Sequence, residues 1–366
     1  MVAITSTSPY AAYQGYQGTI AGASSRASGA AAATTAGEPA AATVTLSEAA
    51  QAALAERSFA AILADARDKL DGLLADAGRT SPLQGGRLAV DLSGLDAREL
   101  YAVASDDSFT AEEREAAGLE MQRRFDAALA GPAAIAEVTG SFVGLYKAAA
   151  AWLDGLGPEE RDSADWKASR DAVTEGLRQL QSAPGTLPSA GDSDPVALYL
   201  ALADAGQTGE PALDDLAGSA RRALDRLYAQ AIANGRAPTF NRATTTGTYI
   251  DLSGFSSRTL SAIALDQTGR FDAAETRAAQ QVLREKSGAA LLSGFQNAAK
   301  SGDPTAFSQN VIAAFASLSA EERQAAGWSD QLYQAAVESY ATTTKLMDMF
   351  TQAGGGNTGF LSWMGR

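Results

Sequence analysis

The feature that most constrains what this chain can fold into is that it repeats itself. Laying Phe271 over Phe109, an offset of 162 residues (271 − 109), aligns the two stretches without a gap as far as Trp328 over Trp166. Along that offset Glu113 meets Glu275, Ala116 and Ala117 meet Ala278 and Ala279, and Ala127, Ala128 and Leu129 meet Ala289, Ala290 and Leu291. The match closes on Leu156, Glu159, Glu160, Arg161, Ala164 and Trp166, which coincide with Leu318, Glu321, Glu322, Arg323, Ala326 and Trp328. Upstream the offset becomes 160 (251 − 91): Asp91, Leu92, Ser93 and Gly94 match Asp251, Leu252, Ser253 and Gly254, followed by Arg98 with Arg258 and Leu100 with Leu260. Further back, Ala66, Arg67, Leu70 and Asp71 resemble Ala220, Arg221, Leu224 and Asp225. Self-similarity at one long period marks a duplicated structural unit. The expectation is two tandem homologous helical modules with short extended segments.

Helix is expected to dominate, because much of the 46% hydrophobic fraction is alanine, which suits close helix packing. Thr45 and Glu48 read as a capping box behind Val44, opening a long helix. Phe59, Ile62, Leu63, Ala66, Leu70, Leu73 and Leu74 recur on one face of it, and it should end near Ala77 and Gly78. Each module then carries a loop and an extended piece (88–92 and 248–252). A short helix comes next, then a longer one from about Ala111 or Ala273, then one or two more containing Trp166 or Trp328. Residues 1–42, rich in Ala, Ser, Thr and Gly, read as a disordered leader. Module one spans 43–182. Pro184, Gly185, Pro188 and Gly191 make 183–194 a linker, and module two spans 195–352. Asp194 and Pro195 cap and open a mainly apolar helix suited to bridging the modules. Gly354, Gly355 and Gly356 release an apolar tail, 353–366, whose Phe360, Leu361, Trp363 and Met364 would dock on a partner or fold back.

Charge and missing residue types exclude several functions. A net charge of −14 and a pI near 4.6 oppose nucleic acid and anionic membrane surfaces, both of which need clustered cations. No stretch approaches the roughly 20 apolar residues that span a bilayer, so no membrane insertion is expected. With no histidine and no cysteine there is no Ser–His–Asp or Cys–His catalysis, no disulfide and no thiolate or imidazole metal site. What remains is oxygen chemistry, either carboxylate pairs or a hard cation.

The turn at 266–275 is the one constellation suited to such a cation. Gly269, Phe271 two positions on and Glu275 six positions on resemble the second half of an EF-hand calcium loop. The resemblance implies a calcium site formed by Asp266, Thr268, Asp272 and Glu275. It departs from the family at the first loop position, where Ala264 stands in place of an aspartate, and in module one, where two residues are missing and Asp107 replaces the glycine. The same residues have a metal-free account, which is preferred: Asp272 with Glu275, and Thr110 with Glu113, are capping boxes that open the following helix.

The other repeated polar groups read as structural first and functional second. Asp91 and Asp251 precede Ser-Gly at a helix entrance, where a carboxylate satisfies free backbone N–H groups. The Glu-Glu-Arg strings at Glu159 and Glu321 occupy a helix's first turn, and adjacent helical carboxylates point about 100° apart rather than facing each other. Trp166 and Trp328 read as core anchors. The functional expectation is a non-catalytic interaction or structural protein with a protein partner. It would be exported by a non-classical or flagellar-type route or held at the cell surface, with retention in the cytoplasm as the alternative. A calcium-responsive module is the second reading. A carboxylate-dependent enzyme is the third, and it would need two carboxylates about 5–10 Å apart in one pocket.

Overall fold

The computed structural model describes residues 58–204 and 211–355. The proposed leader at 1–42, the Thr45–Glu48 capping box and the apolar end of the tail lie outside these residues. The described chain is mainly α, with two pairs of two-residue strands.

The first half opens with α1 (Phe59–Ala77), which buries Ile62, Ala66, Leu70, Leu74 and Ala77, the stripe expected from the spacing. Its end at Ala77 is also as expected, with Gly78 left-handed at φ 60°. Its start differs. The hydroxyl of Ser58 accepts the N–H of Ala61 and begins the helix there, so α1 is not a continuation of a helix running in from Thr45. A hairpin of β1 (Leu83–Gln84) and β2 (Arg87–Leu88) follows, then α2 (Ala97–Ser105) and α3 (Ala111–Thr139). These pack around Leu88, Val90, Leu92, Leu95, Leu100 and Phe109. The expected extended piece at 88–92 is a strand only at its first residue. The rest runs into the core, with one further rung from the Ala89 N–H to the Pro82 carbonyl at 2.9 Å.

A second body of packing closes the other end of α3. Helices α4 (Val143–Asp154), α5 (Pro158–Arg161), α6 (Ala164–Leu180) and α7 (Pro195–Asp204) gather around Phe125, Leu129, Tyr146, Val173 and Val196. Helix α7 packs on α4 and α6, so the segment expected to bridge the modules lies against the first. The buried Tyr146 hydroxyl donates to Asp194 Oδ2 at 2.5 Å, while Asp194 Oδ1 caps α7 at the N–H of Val196. Tyr146 fits because Gly176 faces it; a Cβ there would fall 2.2 Å from the ring.

The second half runs α8 (Leu213–Ala233), β3 (Pro238–Thr239), β4 (Thr248–Tyr249), α9 (Ser257–Leu265) and α10 (Ala273–Ser301). Here the short strands pair in parallel. Leu216, Leu224, Ile250, Leu252, Leu260, Ile263 and Phe271 form its core. Then come α11 (Ala306–Ala316), α12 (Ala320–Ala326) and α13 (Asp330–Gly355). The last core is shared between the halves: Val311, Ile312 and Ala336 pack with Ala134 and Ile135 of α3. Gly131 makes that crossing possible, since a Cβ there would sit 2.7 Å from the Ala313 Cβ. Helices α1 and α8 also touch. Arg222 donates to the carbonyls of Asp76 and Ala77, and Arg226 pairs with Asp76 at 2.8 Å.

Candidate functional site

The turn between α9 and α10 brings the four expected ligand residues into one short loop, but most of their described oxygens are already engaged. Asp266 adopts a left-handed conformation (φ 39°), and its Oδ1 accepts the N–H groups of Arg270 and Phe271 at 2.8 and 3.3 Å. Asp272 caps α10, with Oδ1 accepting from Ala274 and Glu275 at 2.7 and 2.8 Å. Glu275 completes the capping box by accepting from the Asp272 N–H at 2.8 Å. Its other oxygen takes the Tyr228 hydroxyl at 2.7 Å and Arg221 Nη1 at 2.7 Å. Glu275 is 2% exposed, so this is a buried ion pair with its hydrogen-bonding capacity used. Burial, then the hydrogen bond to Glu275, push the Tyr228 hydroxyl up from its ordinary pKa. Thr268 Oγ1 alone is enclosed without a partner. Among the described residues no group of three or more His, Cys, Asp or Glu is placed to hold a metal ion.

The matched turn of the first half is built alike. Thr110 and Glu113 form the capping box of α3, and Arg67 Nη1 reaches Glu113 at 2.9 Å. Arg67 also donates to the Ser108 carbonyl and lies 3.9 Å over the Phe109 ring. In the second half Arg221 donates to the Arg270 carbonyl and sits 5.6 Å over Phe271. The cation near each glutamate is therefore an arginine, from α1 in the first half and from α8 in the second. Sequence reasoning placed Arg67 and Arg221 at matched positions without connecting them to the glutamates, which are 46 and 54 residues away.

The Glu-Glu-Arg strings separate into unlike carboxylates. Arg98 Nε holds Glu159 at 2.8 Å, and Arg258 Nη1 holds Glu321 at 3.2 Å, the same tie in each half. Arg98 keeps Glu159 below the ordinary carboxylate range. Its neighbour Glu160 has an oxygen without a partner, and burial pushes it up to about 7. The counterpart Glu322 is placed differently: it forms a capping box with Ser319, and Gly157 stands where Ser319 would be. Both tryptophans join cores: Trp166 donates to the Leu153 carbonyl at 2.8 Å, and Trp328 packs 6.1 Å from Phe315.

Asp91 and Asp251, alike in sequence, have different surroundings. Each accepts the N–H two residues on, from Ser93 and Ser253. Asp91 additionally takes the hydroxyls of Ser256 and Thr259 at the entrance to α9, a polar bridge between the halves. Burial would push Asp91 up, but these three serine and threonine contacts outweigh it and hold the carboxyl below its usual range. Lys286 lies nearby, donates to the Phe255 carbonyl and is lowered by burial. Asp251 is exposed.

A cleft of about 590 Å³ opens between the halves, lined by Arg87, Leu213, Asp214, Arg258, Ser319 and Glu321 among others. Two carboxylates, Asp214 and Glu321, line it. Glu321, however, is kept below its ordinary pKa by a backbone hydrogen bond and by Arg258, and such a group is a poor proton donor near neutrality. Comparison of the chain with family models, curated proteins and solved structures gives no match.

Proposed function

We propose that this chain is a non-catalytic interaction or structural protein, built from a duplicated helical module and exported or surface-associated, that presents an apolar helical face to a protein partner. The observation that carries the reading is a patch on α10 and α11. Leu292, Phe295 and Phe307 are 57, 56 and 43% exposed, and the two rings meet edge to face at 5.7 Å. Across 288–301 the only charged side chain is Lys300, in a chain of net charge −14. Exposed aromatic side chains in a charge-poor setting are the composition of interface centres. The partner it suits is an apolar helix or another aromatic-rich surface.

The test replaces Phe295 and Phe307 with aspartate in the full chain and compares proteins cross-linked from the source cell by variant and wild type. A partner captured only by the wild type, with the helical signal of both intact, supports the reading. An unchanged set of partners overturns it. Fractionation tests the location, and complete retention in the cytoplasm counts against export.

A second reading, calcium binding at Asp266, Thr268, Asp272 and Glu275, draws on the enclosed, unpartnered Thr268 hydroxyl. Binding there would require Arg221 to release Glu275, so weak affinity is the form it takes. Calorimetric titration decides it. No heat and no rise in Tm at millimolar calcium removes the reading, because a ligand of the folded state must stabilise that state.

A further inference from the structure

The duplication shows what covers the counterpart of the α10 and α11 patch. At the offset of 162 (271 − 109), Leu292, Phe295 and Phe307 correspond to Ala130, Ala133 and Leu145 of the first half. Leu145 is fully buried where Phe307 is 43% exposed. The element over it is α7, whose Val196 and Tyr199 pack in one core with Leu129, Ala133 and Leu145. The Tyr199 hydroxyl lies near Asp126 and Glu137, which share one face of α3 with Ala130 and Ala133 at helical spacing. Burial, then those two charges, push that hydroxyl up to about 12. Among the described residues no helix follows α13 to take the place of α7 on the second half.

Two differences between the matched faces define the occupant. The first is bulk. In the first half the covering helix brings a tyrosine onto alanines, whereas in the second Leu292 and Phe295 supply the bulk from α10, so the covering helix must offer small side chains there. The second is charge. Asp126 and Glu137 are replaced by Gly288 and Ala299, which leaves Lys300 as the nearest charge on α10. A helix with acidic ends, as α7 has in Asp194 and Asp204, meets no like charge on this face. We propose that the patch is a groove for a partner protein's helix of the α7 kind: about three turns long, uncharged between acidic ends, with leucine beside a central alanine. This names the partner class for the surface invoked in the proposed function and rests on that reading. A second copy suits the groove less well. Its α7 is held on its own first half by the bond between Tyr146 and Asp194, and its own patch would set bulk against bulk.

The probe is a peptide of residues 194–204 carrying Tyr199→Ala. A hydrocarbon staple joins positions 197 and 201, on the side away from Val196 and position 199, so the short peptide is helical before it binds. Fluorescence anisotropy follows its binding to the full chain. The expected Kd is below about 100 µM, weakened at least about tenfold by Phe295→Asp with Phe307→Asp in a chain whose helical signal is unchanged. A stapled peptide that keeps Tyr199 is expected to bind at least about threefold more weakly, since its ring meets Phe295 where the first half has an alanine. No binding up to about 1 mM, equal binding to the variant, or no preference for the alanine peptide overturns the proposal. Sedimentation showing that the full chain self-associates through Phe295 and Phe307 also overturns it, with a second copy as the occupant. Each of these failures leaves the proposed function standing while the partners cross-linked in the source cell still depend on Phe295 and Phe307. Loss of that dependence removes both.

Discussion

Arg221 and Glu160 show how differently two buried charges behave when one is matched and the other is not. Removing Arg221 leaves Glu275 charged and 2% exposed, held only by the Tyr228 hydroxyl and a backbone N–H. Arg221→Ala is expected to lower stability by about 2–4 kcal/mol, and adding Glu275→Gln to recover part of it, as read by urea unfolding of the cycle. Glu160 runs the other way. With its folded pKa raised to about 7 from 4.5, the folded state is favoured by protonation, so the penalty is absent below about pH 4.5 and grows as pH rises through 7. Glu160→Gln should therefore stabilise at pH 8 by about 1–2 kcal/mol, discounted for partial solvent access, and be neutral at pH 4.5. Thermal melts at the two pH values check this. The capping roles of Asp272, Glu275, Thr110 and Glu113 were legible in the sequence because a capping box is a contact across three residues. The arginine opposite each glutamate was not, since a contact across some fifty residues leaves no local periodicity. The repeat offered the only signal, an arginine retained beside each matched core position.

Among the elements, α3 and α10 begin where the sequence places them, at Ala111 and Ala273, because their N-caps are unambiguous. The start of α1 differs from the expectation for a related reason: Thr45 and Ser58 can each cap a helix, and Ser58 does so within the described chain. The strands are shorter than the extended pieces suggested, since beyond one further rung, from the Ala89 N–H to the Pro82 carbonyl, residues 90–92 are held by burial and turn contacts. No apolar pattern foretells that α3 and α11 cross, yet the sequence marks the place with Gly131. A methyl group there meets the Ala313 Cβ at 2.7 Å. Gly131→Ala is expected to cost about 1–3 kcal/mol through forced separation of the two helices, despite alanine's better helix propensity, whereas the same change at Gly118, which faces open space, should stabilise slightly. Denaturant midpoints of the two variants carry the comparison.

Over the whole molecule, the halves are joined by the shared core around Val311 and Ile312, by the Asp91 bridge and by the α1–α8 contacts. Wild-type unfolding in urea should therefore be a single transition. Asp91→Ala, which strands the hydroxyls of Ser256 and Thr259, combined with Gly131→Ala should split it into two, seen by tryptophan fluorescence and far-UV dichroism diverging. The Asp91 bridge also joins dissimilar surfaces, the extended turn of one half and a helix entrance of the other. The repeat carries no second bridge of this kind: Asp251 is exposed, and Asp96 and Glu99 stand where Ser256 and Thr259 receive Asp91. There carboxylate would meet carboxylate, so the duplicated sequence makes this joint once and in one direction only.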